Sequence, residues 1–414
     1  MNHGKLHLTD GLKTALGFMS AKSKIELTNN YLQMKHIRKF LRSFFTFLIC
    51  IHVIGAAAQP IPAQEKEEVV VFEPKIGEYS SIRIPALALT KKGTLLAFAA
   101  GRIESASDWA DMDLLLRRSE DGGKTWGAVQ VVAKRAGGKP TDNPAPIVDR
   151  DGTIHLLYQR DYAYAYHIQS TDDGHSWSQA VNITATFEAF KQDYDWKVLA
   201  PSPGHGIQLK SGRLLVPVWL ANSDKIKPHR SHRPSRIATI YSDDNGKTWH
   251  RGVMVPEVEG FKNPSETMAV QLPDGRVMLS IRNESDKRRK GISFSKNGIS
   301  EWTAPTYDEA LFEPICMSSI IATQYRKKNY LLFLNPDSEH IPKHPRQNLT
   351  LKASNDSGKT WIIEQVVNEG ISAYSDIAVG ANGAVYCLFE TKHNPTDSWS
   401  LVLKQLDLKG LVND

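Results

Sequence analysis

Seven polar residues could share one reaction. They are Arg83 in SIRIPAL, Asp108 in SDWADMD, Glu266 in NPSETMAV, Arg282 in SIRN, Arg346 in HPRQN, Tyr374 in SAYSD and Glu390 in CLFE. A guanidinium fork pairs with a carboxylate through two parallel hydrogen bonds and stays charged, so three of them point to a ligand that carries a carboxylate. Glu390 would steady one arginine, because unsupported cations in a cleft repel each other. If the reaction is cleavage of a glycoside whose anomeric carbon bears that carboxylate, a carboxylate nucleophile would meet negative charge on approach. A neutral Tyr374 activated by Glu266 avoids the repulsion. Asp108 would then protonate the leaving oxygen as general acid/base. Taken singly, each residue is an ordinary surface or ion-pairing side chain. Only a shared location gives the set a meaning.

That location follows from a repeat. An apolar alternating run, a tight turn and a second apolar run recur around Gly93, Gly152, Gly212, Gly275, Lys328 and Gly383, at spacings of 59, 60, 63, 53 and 55 residues. β-Branched and aromatic residues flanking DG, SG or NG turns are hairpin signals, and a period this long holds about four strands. Six such units predict an all-β fold, a six-bladed β-propeller with four-stranded antiparallel blades. The C-terminal SLVLKQLDL would close the ring with VVVF near residue 69.

A second motif recurs between the hairpins: SEDGGKTW from Ser119, STDDGHSW from Ser170, SDDNGKTW from Ser242 and SNDSGKTW from Ser354, with a degenerate SKNGISEW from Ser295. Each is expected to join strands three and four of a blade, its aspartate accepting backbone N–H groups and its tryptophan stapling the blade. In an up-and-down blade this turn lies at the same end as the turn between strands one and two. Whatever precedes strand one or follows strand two emerges at the opposite end. The seven polar residues occupy those positions, so they are expected to meet there, on the face away from the acidic turns.

With these segments in hand, the chain from about Val69 to the C-terminus resembles the bacterial and animal sialidases (neuraminidases) of glycoside hydrolase family 33. The match lies in IRIPAL, SDWADMDLLLRRSEDGGKTW, SETMAVQLPDGRVMLSIRN, PRQNLTLKASNDSGKTW, SAYSDIAV and CLFE. The acidic turns resemble that family's Asp boxes, S-x-D-x-G-x-T-W. The resemblance implies an exo-α-sialidase that releases terminal sialic acid with retention through a tyrosyl intermediate; sialidases are an exception to the two-carboxylate rule of glycosidases. It assigns Arg83, Arg282 and Arg346 to the sialic acid carboxylate, Tyr374 as nucleophile, Glu266 as its base, Asp108 as acid/base and Glu390 as support for Arg83. It also places Arg102 as a ligand contact. Ile82 stands where the family more often has Tyr, and Asn143, beside Asp142, where it often has a carboxylate. Asn143 is carried as a substrate-binding candidate. Trp109 either covers the sugar or packs, and His205 in PGHG is read as a turn residue.

Bulk properties bound the rest. The 414 residues are 41% hydrophobic and 23% charged, with a net charge of +6. Residues 1–58 hold eight Lys/Arg against two Asp/Glu, which accounts for the whole excess and removes the argument for a nucleic-acid partner. From Met34 a basic stretch, an apolar run and Ala56-Ala57-Ala58 have a signal-peptide layout with cleavage before Gln59. The expectation is a leader over 1–58, a linker over 59–68 and one catalytic propeller over 69–414, exported to the periplasm or the extracellular medium without stable membrane insertion. A monomer acting on sialylated glycans, with no metal and no cofactor, completes it. Cys316 and Cys387 could pair if exported. Three rivals remain open: a non-catalytic propeller that binds an acidic glycan, a hydrolase of a related 2-keto sugar acid (Kdo-type) glycoside, and an enzyme that transfers the sugar to an acceptor or cleaves it intramolecularly to an anhydro product.

Overall fold

Short runs of Val, Leu, Ile and Ala broken by glycine turns fold here as antiparallel strands. The computed structural model describes residues 68–225 and 227–412. The expected leader and the linker up to residue 67 lie outside them. In chain order, β1 (Val69–Phe72) is followed by the first sheet, β2 (Tyr79–Leu89), β3 (Leu95–Ile103), β4 (Met112–Ser119) and β5 (Gln130–Ala133). The second is β6 (Thr141–Val148), β7 (Ile154–Arg160), β8 (Tyr164–Ser170) and β9 (Val181–Asn182). The third is β10 (Val198–Pro201), β11 (Ile207–Gln208), β12 (Leu214–Ala221), β13 (Ser235–Ser242) and β14 (His250–Arg251). The fourth is β15 (Thr267–Gln271), β16 (Val277–Ile281), β17 (Arg289–Ser295) and β18 (Thr306–Phe312).

The remaining strands are β19 (Ser319–Tyr325), β20 (Lys328–Pro336), β21 (Gln347–Ser354), β22 (Ile363–Val379), β23 (Ala384–Lys392) and β24 (Ser400–Asp407). They form one seven-stranded sheet in the order β1-β24-β23-β22-β21-β20-β19. Its hinge is β22, 17 residues long, whose first half pairs with β21 and whose second half pairs with β23. The N-terminal β1 pairs antiparallel with the C-terminal β24, Val69 opposite Leu403, as the two apolar segments led one to expect. Among the described residues no helix is long and apolar enough to cross a membrane.

The acidic turns link strands three and four as anticipated, and their hydrogen bonding repeats from copy to copy. In the first, Ser119 Oγ donates to Asp121 Oδ1 (2.8 Å) and accepts from Gly123 N (2.9 Å), while Thr125 donates its amide and hydroxyl to Asp121 (3.0 and 2.6 Å). Asp172, Asp244 and Asp356 make the same bonds. In the degenerate copy Asn297 Oδ1 accepts from Ile299 N and Ser300 N, both at 3.0 Å. The glycine of each turn has positive φ and rests on the preceding sheet. A Cβ on Gly123 would lie 2.2 Å from Leu403 on β24, and one on Gly246 2.6 Å from His155 on β7. The contacts run in register, Gly174 on Leu96 of β3 and Gly298 on Leu215 of β12, so each sheet seats its turn on the one before it, and the first seats on the last.

Hydrogen bonds to the ionised form favour it. The threonine hydroxyl and amide hold Asp121, Asp244 and Asp356 at about 2, and Ser176 holds Asp172 lower still. A folded-state pKa below the unfolded value near 3.8 contributes stability that is fully present above about pH 4 and lost as pH falls through about 2. Thermal unfolding should therefore show a steep loss of Tm in that window. The Asp121→Asn/Asp244→Asn/Asp356→Asn protein should be less stable at pH 6 and flatter below pH 4. A wild-type slope in the triple variant would rule those three turns out as its source.

Candidate active site

Three positive-φ residues stand at one end of the sheets, Ile84 in β2, Asn143 in β6 and Ile315 in the turn between β18 and β19. Ile84, Asn143 and Ile315 each have φ of +60°, rare for residues with a Cβ and rarer for a β-branched one. In β2 the ladder slips between Arg83 and Ala86, in β6 between Asp142 and Ala145, and in β22 between Ser372 and Ser375. Such bulges leave residues unpaired and turn their side chains. Arg83, Asp142 and Tyr374 sit at them. The expectation had these residues flanking short strands; they lie inside long strands interrupted by irregularities.

Glu390, on β23 and fully buried, closes the first part of the site. It takes Arg83 in a bidentate pair (Nε to Oε1 3.1 Å, Nη2 to Oε2 2.8 Å) and also accepts from Ile84 N at 2.9 Å and Tyr374 N at 3.2 Å. One carboxylate thus fixes an arginine and two stretches of backbone about 300 residues apart in sequence. The guanidinium of Arg83 also lies 5.4 Å from the Trp399 ring.

Tyr374 is the point of convergence. Its Oη donates to Glu266 Oε1 at 2.6 Å and accepts from Arg282 Nη1 at 2.6 Å, and Arg282 also pairs with Glu266. The guanidinium carbons of Arg83, Arg346 and Arg282 lie 5.4, 5.5 and 5.9 Å from its ring centroid. Arg346 is held by the carbonyl of the strained Ile315 at 2.5 Å. Burial pushes the phenol well above its ordinary pKa; Arg282 pulls it back and Glu266 adds to the rise. The resting tyrosine is therefore neutral.

Arg102, on β3, organises the other side. It is fully buried, donates to Asp108 Oδ1 at 2.9 Å and to the Ala106 carbonyl, and lies 4.0 Å from Asp142. Burial works to raise the Asp108 carboxyl, but Arg102, His232 and Arg83 outweigh it and hold the group below the usual range. Asp142 goes the other way: burial raises it to about 6 against the pull of Arg102, and its Oδ2 has no hydrogen-bond partner. Asn143, carried as a binding candidate, is buried beside Asp142. Its side-chain amide donates to the Pro201 carbonyl at 3.2 Å, and Asp142 is the residue beside Arg102. Ile82 is buried in the apolar core of the first sheet.

A cavity of about 350 Å³ opens from Asp108, Glu266 and Arg282, with Trp109, His232 and Arg230 along its wall. Trp109 resolves both ways: it packs on Tyr162 (4.6 Å between centroids) and lines the cavity.

Behind the arginines sit groups that the sequence reading passed over. Lys290 and Glu313 form a fully buried ion pair at 2.8 Å; Lys290 Nζ also donates to the Cys316 carbonyl at 2.8 Å, and Glu313 accepts from Cys316 N at 2.9 Å and Asn283 N at 3.3 Å. This pair fixes both ends of the turn that offers the Ile315 carbonyl to Arg346, and the residue next to Arg282. A lysine inside the apolar alternation RKGISF was the available signal. Asp376 is the second omission. Fully buried, it accepts from Leu87 N (2.8 Å), His205 N (3.0 Å), His205 Nδ1 (2.7 Å) and Ser319 Oγ (2.7 Å). His205 is thus more than a turn residue. Cys316 and Cys387 are both free and buried, in separate apolar clusters.

The chain belongs to the BNR repeat-like domain family, whose model matches residues 93–387. It is similar to a sialidase of Micromonospora viridifaciens, 31% identical over 345 residues, covering 75% of this chain and 50% of that protein. A sialidase of Bacteroides fragilis is 28% identical over 349 residues, covering 74% of this chain and 60% of the relative. The chain spans about half the length of the first relative and three fifths of the second. Among solved structures, a Hadza microbial sialidase superposes with a TM-score of 0.70 at 25% identity, over 85% of this chain and 71% of the other.

Removing one partner of a buried ion pair leaves an uncompensated charge and costs about 3–5 kcal/mol, whereas replacing both by apolar groups costs far less. Lys290→Met should therefore destabilise strongly in denaturant unfolding, and Lys290→Met/Glu313→Leu should recover part of the loss, the remainder being the orphaned Cys316 and Asn283 backbone groups. If the double variant is as unstable as the single, the backbone hydrogen bonds and not the uncompensated charge account for the cost.

Proposed function

We propose that the protein is an exo-α-sialidase, hydrolysing terminal sialic acid from glycoconjugates with retention through a covalent bond to Tyr374. The observation that carries this is the Tyr374 phenol, bonded at 2.6 Å to both Glu266 and Arg282 with three guanidinium groups around its ring. The similarity to sialidases over three quarters of the chain supports it. We infer further that the seven-stranded sheet divides at β22 into two blades, which with the four other sheets makes a six-bladed propeller closed by β1 on β24. The cyclic seating of the acidic turns supports this count. The leader composition supports export.

In this reading Arg83, Arg282 and Arg346 hold the sugar carboxylate, and Asp142 with Arg102 offers an unpartnered oxygen and a fixed cation to the ring hydroxyls. Tyr374 passes its phenolic proton to Glu266 as its Oη bonds to the anomeric carbon. The glycosidic bond breaks in the same step, and the leaving oxygen takes the proton of Asp108. Asp108, now a carboxylate, removes a proton from water, whose oxygen displaces Tyr374; Glu266 returns the proton to the phenol. Two inversions at one carbon give retention. Arg102 holds the Asp108 carboxyl below its usual range, so its role as acid depends on a ligand that excludes water and raises it.

Release of a fluorogenic aglycone from a sialic acid glycoside tests the proposal. Wild type should turn over and Tyr374→Phe should lose at least about 10³-fold in kcat, as expected for loss of a nucleophile. The sugar first released should be the α anomer by NMR. Asp108→Ala should lose far more on a natural oligosaccharide than on the aryl glycoside, whose leaving group needs little protonation. Equal rates for wild type and Tyr374→Phe would remove the tyrosine from the mechanism.

A further inference from the structure

The cavity beside Asp108 has an unbalanced charge. Of its ionised walls, Arg282 pairs with Glu266, Arg233 pairs with Glu284 through two bonds of 2.6 Å, and Asp108 pairs with Arg102. Arg230 lines the same cavity and forms no ion pair among the described residues; its guanidinium lies 5.8 Å from the Trp109 ring.

Its position is fixed by the loop that carries it. Between β12 and β13 the backbone folds on Ser223, which accepts from Ser231 N through Oγ (2.9 Å), with His229 Nδ1 3.1 Å from its carbonyl oxygen. His232 is set among Trp109, Tyr162 and Trp219, with ring centroids 5.5, 5.0 and 4.9 Å away. Arg233 is clamped on Glu284. Three of the four residues from 230 to 233 are thus anchored, and the remaining one presents a cation over an aromatic face.

The side of the cavity matters. Tyr374 and the three arginines take the sugar that is cleaved, and Asp108 protonates the oxygen that leaves. Trp109 follows Asp108 directly, and Arg230 stands over Trp109. The arginine therefore stands on the Asp108 side of the cavity, beside the acid that serves the departing group.

We propose that Arg230, with Trp109 beneath it, is a subsite for an anionic aglycone: a leaving sugar that carries a carboxylate or a sulfate on the residue next to the scissile bond. An arginine preheld over an indole gives up little freedom on binding and matches either anion with a bidentate fork. The substrates favoured would be glycans in which the terminal acid is linked to a second acidic sugar or to a sulfated neutral one. This inference rests on the sialidase reading above.

The experiment compares kcat/KM for three substrates at low and high salt: sialic acid linked to lactose, to sulfated lactose, and to a second sialic acid. Wild type should prefer one or both acidic aglycones over lactose. Arg230→Gln should lower that preference about two- to fivefold, the size of one partly screened charge pair, and Arg230→Lys should restore part of it. A gain on the disialyl substrate alone identifies a carboxylate as the recognised group; a gain on the sulfated one alone identifies a sulfate. The preference should shrink at high salt. An Arg230→Gln loss equal on all three substrates, or no loss on either acidic one, would overturn the subsite while leaving the sialidase reading intact. Absence of wild-type turnover on all three would overturn both.

Discussion

Asp376 gathers backbone and side-chain donors from segments that are otherwise remote. Leu87 on β2, His205 in the turn after β10, and Ser319 on β19 all meet its carboxylate, and its own neighbour Ile377 adds an amide at 2.9 Å. Sheets that pack only face to face can slide by a residue without losing much apolar contact. A buried carboxylate with fixed donors cannot, because leaving any donor unpaired in a dry interior costs about 1–3 kcal/mol. Tyr374 lies two residues from this point on the same strand, so its height relative to β2 is set there. Glu390 does the same at the next level, binding Ile84 N and Tyr374 N with one carboxylate.

The chemistry at that end is expensive to hold. Three guanidinium groups within about 6 Å of one phenol repel one another, and burial deprives them of water. Each is answered locally: Arg83 by Glu390, Arg282 by Glu266, Arg346 by the Ile315 carbonyl. The third answer is the weakest in charge. A carbonyl dipole orients a guanidinium without neutralising it, so Arg346 keeps the most unspent positive charge for an anionic ligand. Lys290 and Glu313 make that possible by fixing the turn with a charge pair that is neutral overall.

Much of this was legible in the sequence, for a physical reason. Hairpin turns need glycine or its substitutes at set positions, and the acidic turns need Ser, Asp and Gly at set spacings, so the repeat survives as a pattern of residue types. The residues with open functional valence, Arg83, Asp108, Glu266, Arg282, Arg346, Tyr374 and Glu390, could then be placed by topology. What topology does not encode is which of two adjacent polar residues faces inward. The positive φ at Asn143 turns its amide to Pro201 and leaves Asp142 beside Arg102, a choice made by one dihedral angle. Lys290 and Asp376 were opaque for a related reason. A buried charge reads like a surface one until its partner, far off in sequence, is known.

The two ends of the sheets divide the work. At one end, each acidic turn satisfies its own backbone and rests a bare glycine on the preceding sheet, and the positive-φ residues there, Asp173, Asn245 and Ser357, are small polar ones. At the other end, the β-branched Ile84 and Ile315 sit at +60°, a conformation that costs such residues about 1–3 kcal/mol each and persists only where surroundings enforce it. For Ile84 the enforcing contact is Glu390, which also orients Arg83; for Ile315 it is the adjoining Glu313–Cys316 bond, which also serves Arg346. The strain and the arginines are therefore held by the same buried carboxylates. Relaxing the backbone would release the cations, and that coupling gives a physical reason for these strained positions to lie beside the arginines they serve.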